Sequence, residues 1–213
     1  MTLQLTAEKA RIFRITHIDN VPWILRNGIY CRNSDVMDPN FLIIGNEDLI
    51  SKRASRTVPI IPNGQLSDYI PFYFIPFSPM MYNIKTGYNG IKKLPNSKIA
   101  ILVSSLNSLA ESGHLFVFTD RHAYLRTARF FNQVADLSEI DWPLLQSRDF
   151  RRDPDDPDKF ARYEAEALVH QHLPIDKLAG IVCYGENERR TILTAAEDAN
   201  VQIQVAARSG WYF

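Results

Sequence analysis

Two glutamates, Glu164 and Glu166, stand two residues apart where a charged, proline-punctuated stretch gives way to an apolar run, in "DKFARYEAEALVHQHLPI". If residues 166–171 form a strand, Glu164, Glu166, Leu168 and His170 share one face and Ala165, Ala167 and Val169 the other. The glutamate face then turns from acidic to apolar along its length. Glu166 falls where the strand enters the core, a position at which a carboxylate is half desolvated and tunable as a base or hydrogen-bond acceptor. Glu164 lies one step further out. Arg53 is the second candidate, because in "NEDLISKRASR" Leu49, Arg53 and Arg56 fall on one helical face. An arginine on that face needs an anionic partner or a ligand phosphate, since an unpaired charge inside is costly. A buried arginine facing a half-buried glutamate can bind and activate an anionic, polar substrate. The same residues also suit a snorkelling arginine and a solvated strand end, and the pattern alone leaves both readings open.

The elements that would position these side chains are mixed. The chain has 213 residues, is 46% hydrophobic and carries a formal net charge of +0. That composition supports one large domain with a real core, argues against disorder, and provides no overall basic field to announce nucleic acid. Cys31 and Cys183 have no metal-ligand spacing and read as buried thiols, so no metal is expected. No apolar run approaches the ~20 residues needed to span a bilayer, so a cytoplasmic protein with no membrane partner is expected. "RIFRIT", "KIAILVSSL", "LFVFTD", "GIVCYG" and "VQIQVA" read as strands. "DNVPWILRNG", the segment at about 46–56 capped by Asn46, "RHAYLRTARFFNQV" and "NERRTILTAAEDAN" read as helices. "DYIPFYFIPFSPMMY" is strand-like, but Pro71 and Pro76 each remove a donor, which predicts an edge strand or an irregular wall. Without βαβ alternation, a G-x-G-x-x-G or a P-loop, the fold class is α+β, rich in antiparallel sheet.

Five stretches, "RIFRITHIDNVPWILRNG", "DYIPFYFIPFSPMMYNI", "FVFTDRHAYLRTARFF", "RDFRRDPDDPDKFARYEAEALVH" and the terminal "RSGWYF", resemble the DarT family over nearly the whole chain. The family's members are toxins of toxin–antitoxin pairs that ADP-ribosylate DNA. The resemblance implies an ADP-ribosyltransferase-like fold, with two packed, mostly antiparallel sheets and flanking helices around an NAD cleft. It implies a single domain over 1–213, with the catalytic arginine on the helix at about 46–56 and a DNA-presenting loop region at about 119–166. It places the catalytic pair at Arg53 and Glu166. It places NAD+ binding at Arg14, Ile15, Thr16, Trp23, Cys31 and Arg53, with Arg14 standing where other members have histidine. The co-substrate is NAD+, the substrate thymidine in single-stranded DNA within a preferred sequence, and the consequence a block to replication. The expected partner is a macrodomain antitoxin of the DarG type that removes the mark.

Chemistry supplies reasons for this assignment. Breaking the nicotinamide–ribose bond develops positive charge at C1′, which a carboxylate stabilises and after which it can take the nucleophile's proton. The N3 proton of a paired thymine is occupied by the partner base, so an unpaired or extruded base is required. Tyr69, Phe72, Tyr73 and Phe74 could stack on bases, and His122, Arg126, Arg129, Arg148, Arg151 and Arg152 could follow a phosphate backbone; of these His122, Arg148, Arg152 and Tyr73 are the leading DNA-binding candidates. Two other readings fit the same residues. The E-x-E spacing of Glu164 and Glu166 also suits an arginine-specific protein ADP-ribosyltransferase, and a non-catalytic single-stranded nucleic-acid-binding module would use the same surface.

Overall fold

A computed structural model describes residues 3–213, apart from the side chain of Asn89. In chain order it runs β1 (Arg11–His17), α1 (Val21–Asn27), β2 (Ile29–Tyr30), α2 (Glu47–Ala54), β3 (Tyr69–Tyr73), α3 (Pro79–Thr86), β4 (Ile99–Ser105), α4 (Leu106–Glu111), β5 (Phe116–Thr119) and β6 (Phe130–Phe131). There follow α5 (Trp142–Ser147), α6 (Lys159–Tyr163), β7 (Glu166–His170), β8 (His172–Leu173), β9 (Gly180–Cys183), α7 (Glu186–Asp198) and β10 (Val205–Ala207). The two sheets are unequal. The larger has the order β10-β9-β4-β1-β3-β7-β5-β6, and the smaller is β2-β8. All neighbours in the larger sheet are antiparallel except β9 and β10, in keeping with the α+β class.

That larger sheet is almost cut in two. β1 is laddered to β4 from Arg11↔Ser105 to His17↔Ile99, and β3 to β7 from Tyr69↔His170 to Tyr73↔Glu166. Among the described residues, β1 and β3 share the single register pair Phe13↔Tyr73. The halves therefore diverge from one joint, and the row Phe13, Tyr73, Glu166 crosses it.

The joint explains a departure from the sequence pattern. β3 is internal in the strand order despite Pro71, whereas the sequence pattern predicts an edge strand or an irregular wall. The Pro71 carbonyl accepts from Arg14 Nη1 at 2.8 Å. Because the N and O of one strand residue point to the same side, the missing donor faces the opening beside β1 and the β7 ladder loses nothing.

Alternation along β7 sorts two cores. Ala165, Ala167 and Val169 join the main cluster with Phe13, Phe72 and Phe74. Leu168 faces a smaller one with Val58, Leu66, Tyr69, Val117 and Ala123, on the Glu166 side. Phe72, Phe74 and Tyr69 are thus core residues at 0–2% exposure and offer no stacking surface; of that aromatic run only Tyr73 remains half-buried at the joint.

Another expectation fails between Arg121 and Val134. The helical pattern there folds as tight turns leading into β6, and the helix is absent. Carboxylates outside the segment outcompete the helix: Asp120 accepts from the Arg129 amide at 3.0 Å and from its Nε at 2.9 Å, and the distant Glu166 takes the Ala123 amide at 3.1 Å.

Candidate active site

Glu166 opens β7 beside the joint, with 1% of its surface exposed, where the alternation had predicted half burial. Burial of a carboxylate must be compensated, and each oxygen has a donor. Oε2 meets Arg53 Nη2 at 2.5 Å, and Oε1 accepts from the Ala123 amide at 3.1 Å. Burial works to raise the Glu166 pKa, but the charge of Arg53 and these hydrogen bonds hold it below the ordinary carboxylate range. Burial likewise opposes the charge on Arg53, and Glu166 restores it, leaving the guanidinium above its ordinary value.

Arg53 comes from the last turn of α2, a helix without a buried residue of its own. Two ends hold it. Asn46 caps the start by accepting from the Leu49 amide at 3.0 Å, with Glu47 and Asp48 in the favourable first turn. At the other end the Ser67 hydroxyl donates to the Ala54 carbonyl at 2.8 Å.

His122 lies 3.6 Å from Glu166 Oε1 through Nδ1. The same Nδ1 accepts from the Tyr124 amide at 3.2 Å, so it carries no proton and the neutral ring holds its hydrogen on Nε2. Burial lowers the His122 pKa against the pull of Glu166, which agrees with a neutral imidazole and not an ion pair. Tyr73 stands in the same group. Burial, then Glu166 and Glu164, push its phenol well up, so it stays protonated.

Arg14, on β1 across the opening, has Pro71's carbonyl as its hydrogen-bond partner and pairs with no carboxylate among the described residues. Burial and the neighbouring Arg53 lower its pKa to about 10. Arg14 lies near enough to Arg53 to feel its charge, while Glu166 pairs with Arg53, which leaves positive charge on Arg14 where a dinucleotide's pyrophosphate or ribose hydroxyls would find a donor. Ile15 and Thr16 are buried further along β1, and the Thr16 hydroxyl accepts from Asn20 Nδ2 at 3.0 Å. Asn20 also clamps both the carbonyl and the amide of Leu42, at 3.0 and 2.9 Å. Trp23 packs edge-on against Tyr30, and Cys31 is buried with its thiol pKa raised by burial.

Next to the Arg53–Glu166 pair opens a cleft of roughly 660 Å³, lined among others by Leu49, His122, Tyr124, Arg152, Phe160 and Glu164. Its outer wall is the loop between α5 and α6. Arg162 organises that wall, bonding Asp141 through Nε at 3.1 Å and Asp156 through both terminal nitrogens at 3.0 and 2.8 Å. Lys159 holds Asp149 at 2.9 Å and Arg121 holds Asp158 at 3.0 Å. Most of the charge in "RDFRRDPDDPDKF" is spent internally, while Arg152 lines the cleft. Arg148 is engaged elsewhere: its guanidinium sits 3.6 Å over the Phe77 ring and donates to the Gly210 carbonyl.

The structure therefore gathers Arg14, Arg53, Tyr73, His122 and Glu166 at the joint and Arg152 on the cleft wall, whereas Arg148 packs under the C-terminal residues. Sequence reasoning missed the Ala123 amide, Asn20 and the Arg162 hub. A backbone amide carries no residue-type signal, and a hub is visible only once its carboxylates converge. Among the described residues, no group of three or more His, Cys, Asp or Glu side chains forms a metal site, and no helix is long and apolar enough to cross a membrane.

The chain is similar to known proteins over nearly its whole length. The sequence model of the family described as "ssDNA thymidine ADP-ribosyltransferase, DarT" matches residues 13–213. A DNA ADP-ribosyl transferase of Escherichia coli O127:H6 is 53% identical over 209 residues, covering 98% of this chain and 96% of the relative. The fold matches that of Thermus sp. 2.9 DarT in complex with ADP-ribosylated ssDNA, with a TM-score of 0.89, 31% identity and full coverage of both chains. It also matches the same protein in complex with NAD+, with a TM-score of 0.82, 33% identity, and coverage of 97% of this chain and 98% of that one.

Proposed function

The chain belongs to the DarT family, and from that premise we propose that it transfers ADP-ribose from NAD+ to a thymidine base of single-stranded DNA, with Arg53 and Glu166 as the catalytic pair. The observation that carries the residue assignment is the part-buried 2.5 Å contact between Arg53 and Glu166 at the joint of the sheet, with a cleft beside it. NAD+ is the co-substrate, and Arg14, with Ile15, Thr16, Trp23 and Cys31 further along, forms its side of the site.

Glu166 is fixed by two donors and cannot swing away, so its negative charge is preorganised for the positive charge that develops at ribose C1′. Its lowered pKa makes it a weak base at rest. That suffices, because the thymine N3 proton becomes strongly acidic only as the new C1′–N3 bond forms, and Glu166 takes it at that moment. Arg53 holds the carboxylate in place and faces the charge left on the thymine oxygens. Neutral His122 offers its Nε2 hydrogen without adding charge. Arg152 and Tyr73 contact the DNA strand, the first from the cleft wall and the second from the joint.

Chain 1–213 acts as a single transferase domain, with the region at about 119–166 presenting the DNA. As a toxin of the cytoplasm, where NAD+ and replicating DNA meet, it modifies thymidines in a preferred sequence and blocks replication, and a macrodomain antitoxin reverses the mark. The test is mass spectrometry of a mixed-sequence single-stranded oligonucleotide incubated with NAD+ and either the wild type or Glu166→Gln. A thymine adduct with the wild type, formed about 10²- to 10⁴-fold more slowly by the variant, is expected. Equal rates would remove Glu166 from the chemistry. Label on protein arginines with none on DNA would transfer the argument to the Glu164/Glu166 pair acting on guanidinium.

A further inference from the structure

The mechanism above leaves one carboxyl at the site unused. Glu164 follows α6 directly, its amide bonded to the Ala161 carbonyl at 3.2 Å, and its half-buried side chain lines the cleft beside His122 and Arg152. Among the described residues this carboxyl accepts no hydrogen bond and forms no ion pair, whereas Glu166, two residues on, has a donor on each oxygen. An unpartnered acidic group is out of place here twice over. It repels Glu166, and it faces the surface that a polyanionic strand must approach.

Resting on the transferase reading, we infer that Glu164 works in its protonated form, as a hydrogen-bond donor to a carbonyl oxygen of the DNA base seated in the cleft. The lining favours a base over a phosphate as its partner. Leu49, Leu125, Pro154 and Pro157 give apolar walls and Phe160 an aromatic ring for a heterocycle to pack on, and the cation lining the cleft for a phosphate is Arg152. A neutral carboxyl adds a donor to those walls without adding charge, as a buried protonated acid does when it serves as a hydrogen-bond donor.

The electrostatics agree with this geometry. Burial and the adjacent Glu166 raise the Glu164 pKa to about 8, against the opposing pull of Arg53. The other groups facing it hold one state around neutrality and above: Glu166 is lowered and charged, His122 is lowered and neutral, Tyr73 is raised and protonated, and Arg53 is raised and charged. Arg152 and Asp153 line the same cleft. The neutral acid is therefore present below its folded-state pKa and lost as pH rises through it.

The test is the KM for a single-stranded oligonucleotide, measured with saturating NAD+ across about pH 7 to about pH 9, for the wild type, Glu164→Gln and Glu164→Ala. The wild-type KM is expected to rise roughly tenfold over that window as the donor ionises. Glutamine cannot ionise and keeps a donor, so the ratio of its KM values at the two ends stays near one. Alanine lacks the donor throughout, and its KM at neutral pH exceeds that of glutamine. The thymine imide titrates identically for all three proteins, so differences between them isolate residue 164. Equal ratios for wild type and glutamine, or a pH dependence that appears in the KM for NAD+ instead, would overturn the inference while leaving the transferase reading intact. Absence of any thymine adduct at every pH would overturn both.

Discussion

At the scale of single residues, two glutamates two positions apart are driven in opposite directions by their surroundings. Glu166 has two donors, one of them a guanidinium, and its pKa falls; Glu164 has burial and a like charge, and its pKa rises to about 8. The consequences for stability have opposite signs. Glu166 contributes stability at neutral pH that is lost as pH falls below the ordinary carboxylate range. Between an unfolded value of 4.5 and a folded value of about 8, the folded state keeps a proton on Glu164 that the unfolded chain releases. Stability through that group therefore declines as pH rises across the window. Glu164→Gln is accordingly expected to raise the melting temperature, with a gap over the wild type that widens from about pH 5 to about pH 8, read by thermal denaturation at low ionic strength. A constant gap would mean that the group is not perturbed as its surroundings require.

At the scale of elements, the site depends on segments that have little core of their own. α2 buries none of its residues and is fixed by its Asn46 cap, the Ser67 bond and the Arg53–Glu166 pair. The wall between α5 and α6 is fixed by ion pairs that converge on Arg162, one of whose partners, Asp141, also caps α5 by accepting from the Leu144 amide at 3.1 Å. Replacing Arg162 with methionine keeps the stem and removes the hub. Residues 149–158 are then expected to exchange their amide hydrogens at least several-fold faster, and the KM for DNA to rise more than the KM for NAD+. Hydrogen-exchange mass spectrometry with steady-state kinetics reads both; unchanged exchange would show that proline and turn geometry alone hold the wall. These elements also mark how far local pattern reaches. The strand period at β7 and the cap and charge order at α2 were legible, because each is set by neighbours within a few residues. The segment from Arg121 to Val134 was not, because its turns answer to Asp120 and Glu166.

At the scale of the whole molecule, the proposed active site lies where the large sheet is joined across its middle by the register pair Phe13↔Tyr73. Phe13 and Tyr73 meet there, Glu166 continues the row, and Arg14 reaches back to the Pro71 carbonyl. The C-terminal residues brace the same region: Trp211 packs edge-on against Phe13, and the Tyr212 hydroxyl donates to the carbonyls of Ile99 and Val182. If Arg14 serves the NAD+ side, Arg14→Met removes a charge-assisted donor worth about 1.5–3 kcal/mol, and the KM for NAD+ is expected to rise roughly 10- to 100-fold with a smaller change in the KM for DNA. Initial-rate kinetics with each substrate varied in turn measures this; an effect confined to DNA would move Arg14 to the other side of the site.

The amino-acid order alone determined the alternation of β7, the capped helix that carries Arg53, the α+β class and the motifs that resemble DarT. Each follows from residue types and their spacing along a few turns of chain. Tertiary structure decided the rest. It set how deeply Glu166 is buried, which backbone amide meets its second oxygen, why a proline sits inside the sheet, and where the charges of residues 148–162 are spent. These depend on groups as far apart in sequence as Arg14 and Pro71 or Arg53 and Glu166. A carboxylate's pKa and a guanidinium's partner are properties of the space around them, and that space forms only when the two halves of the sheet meet.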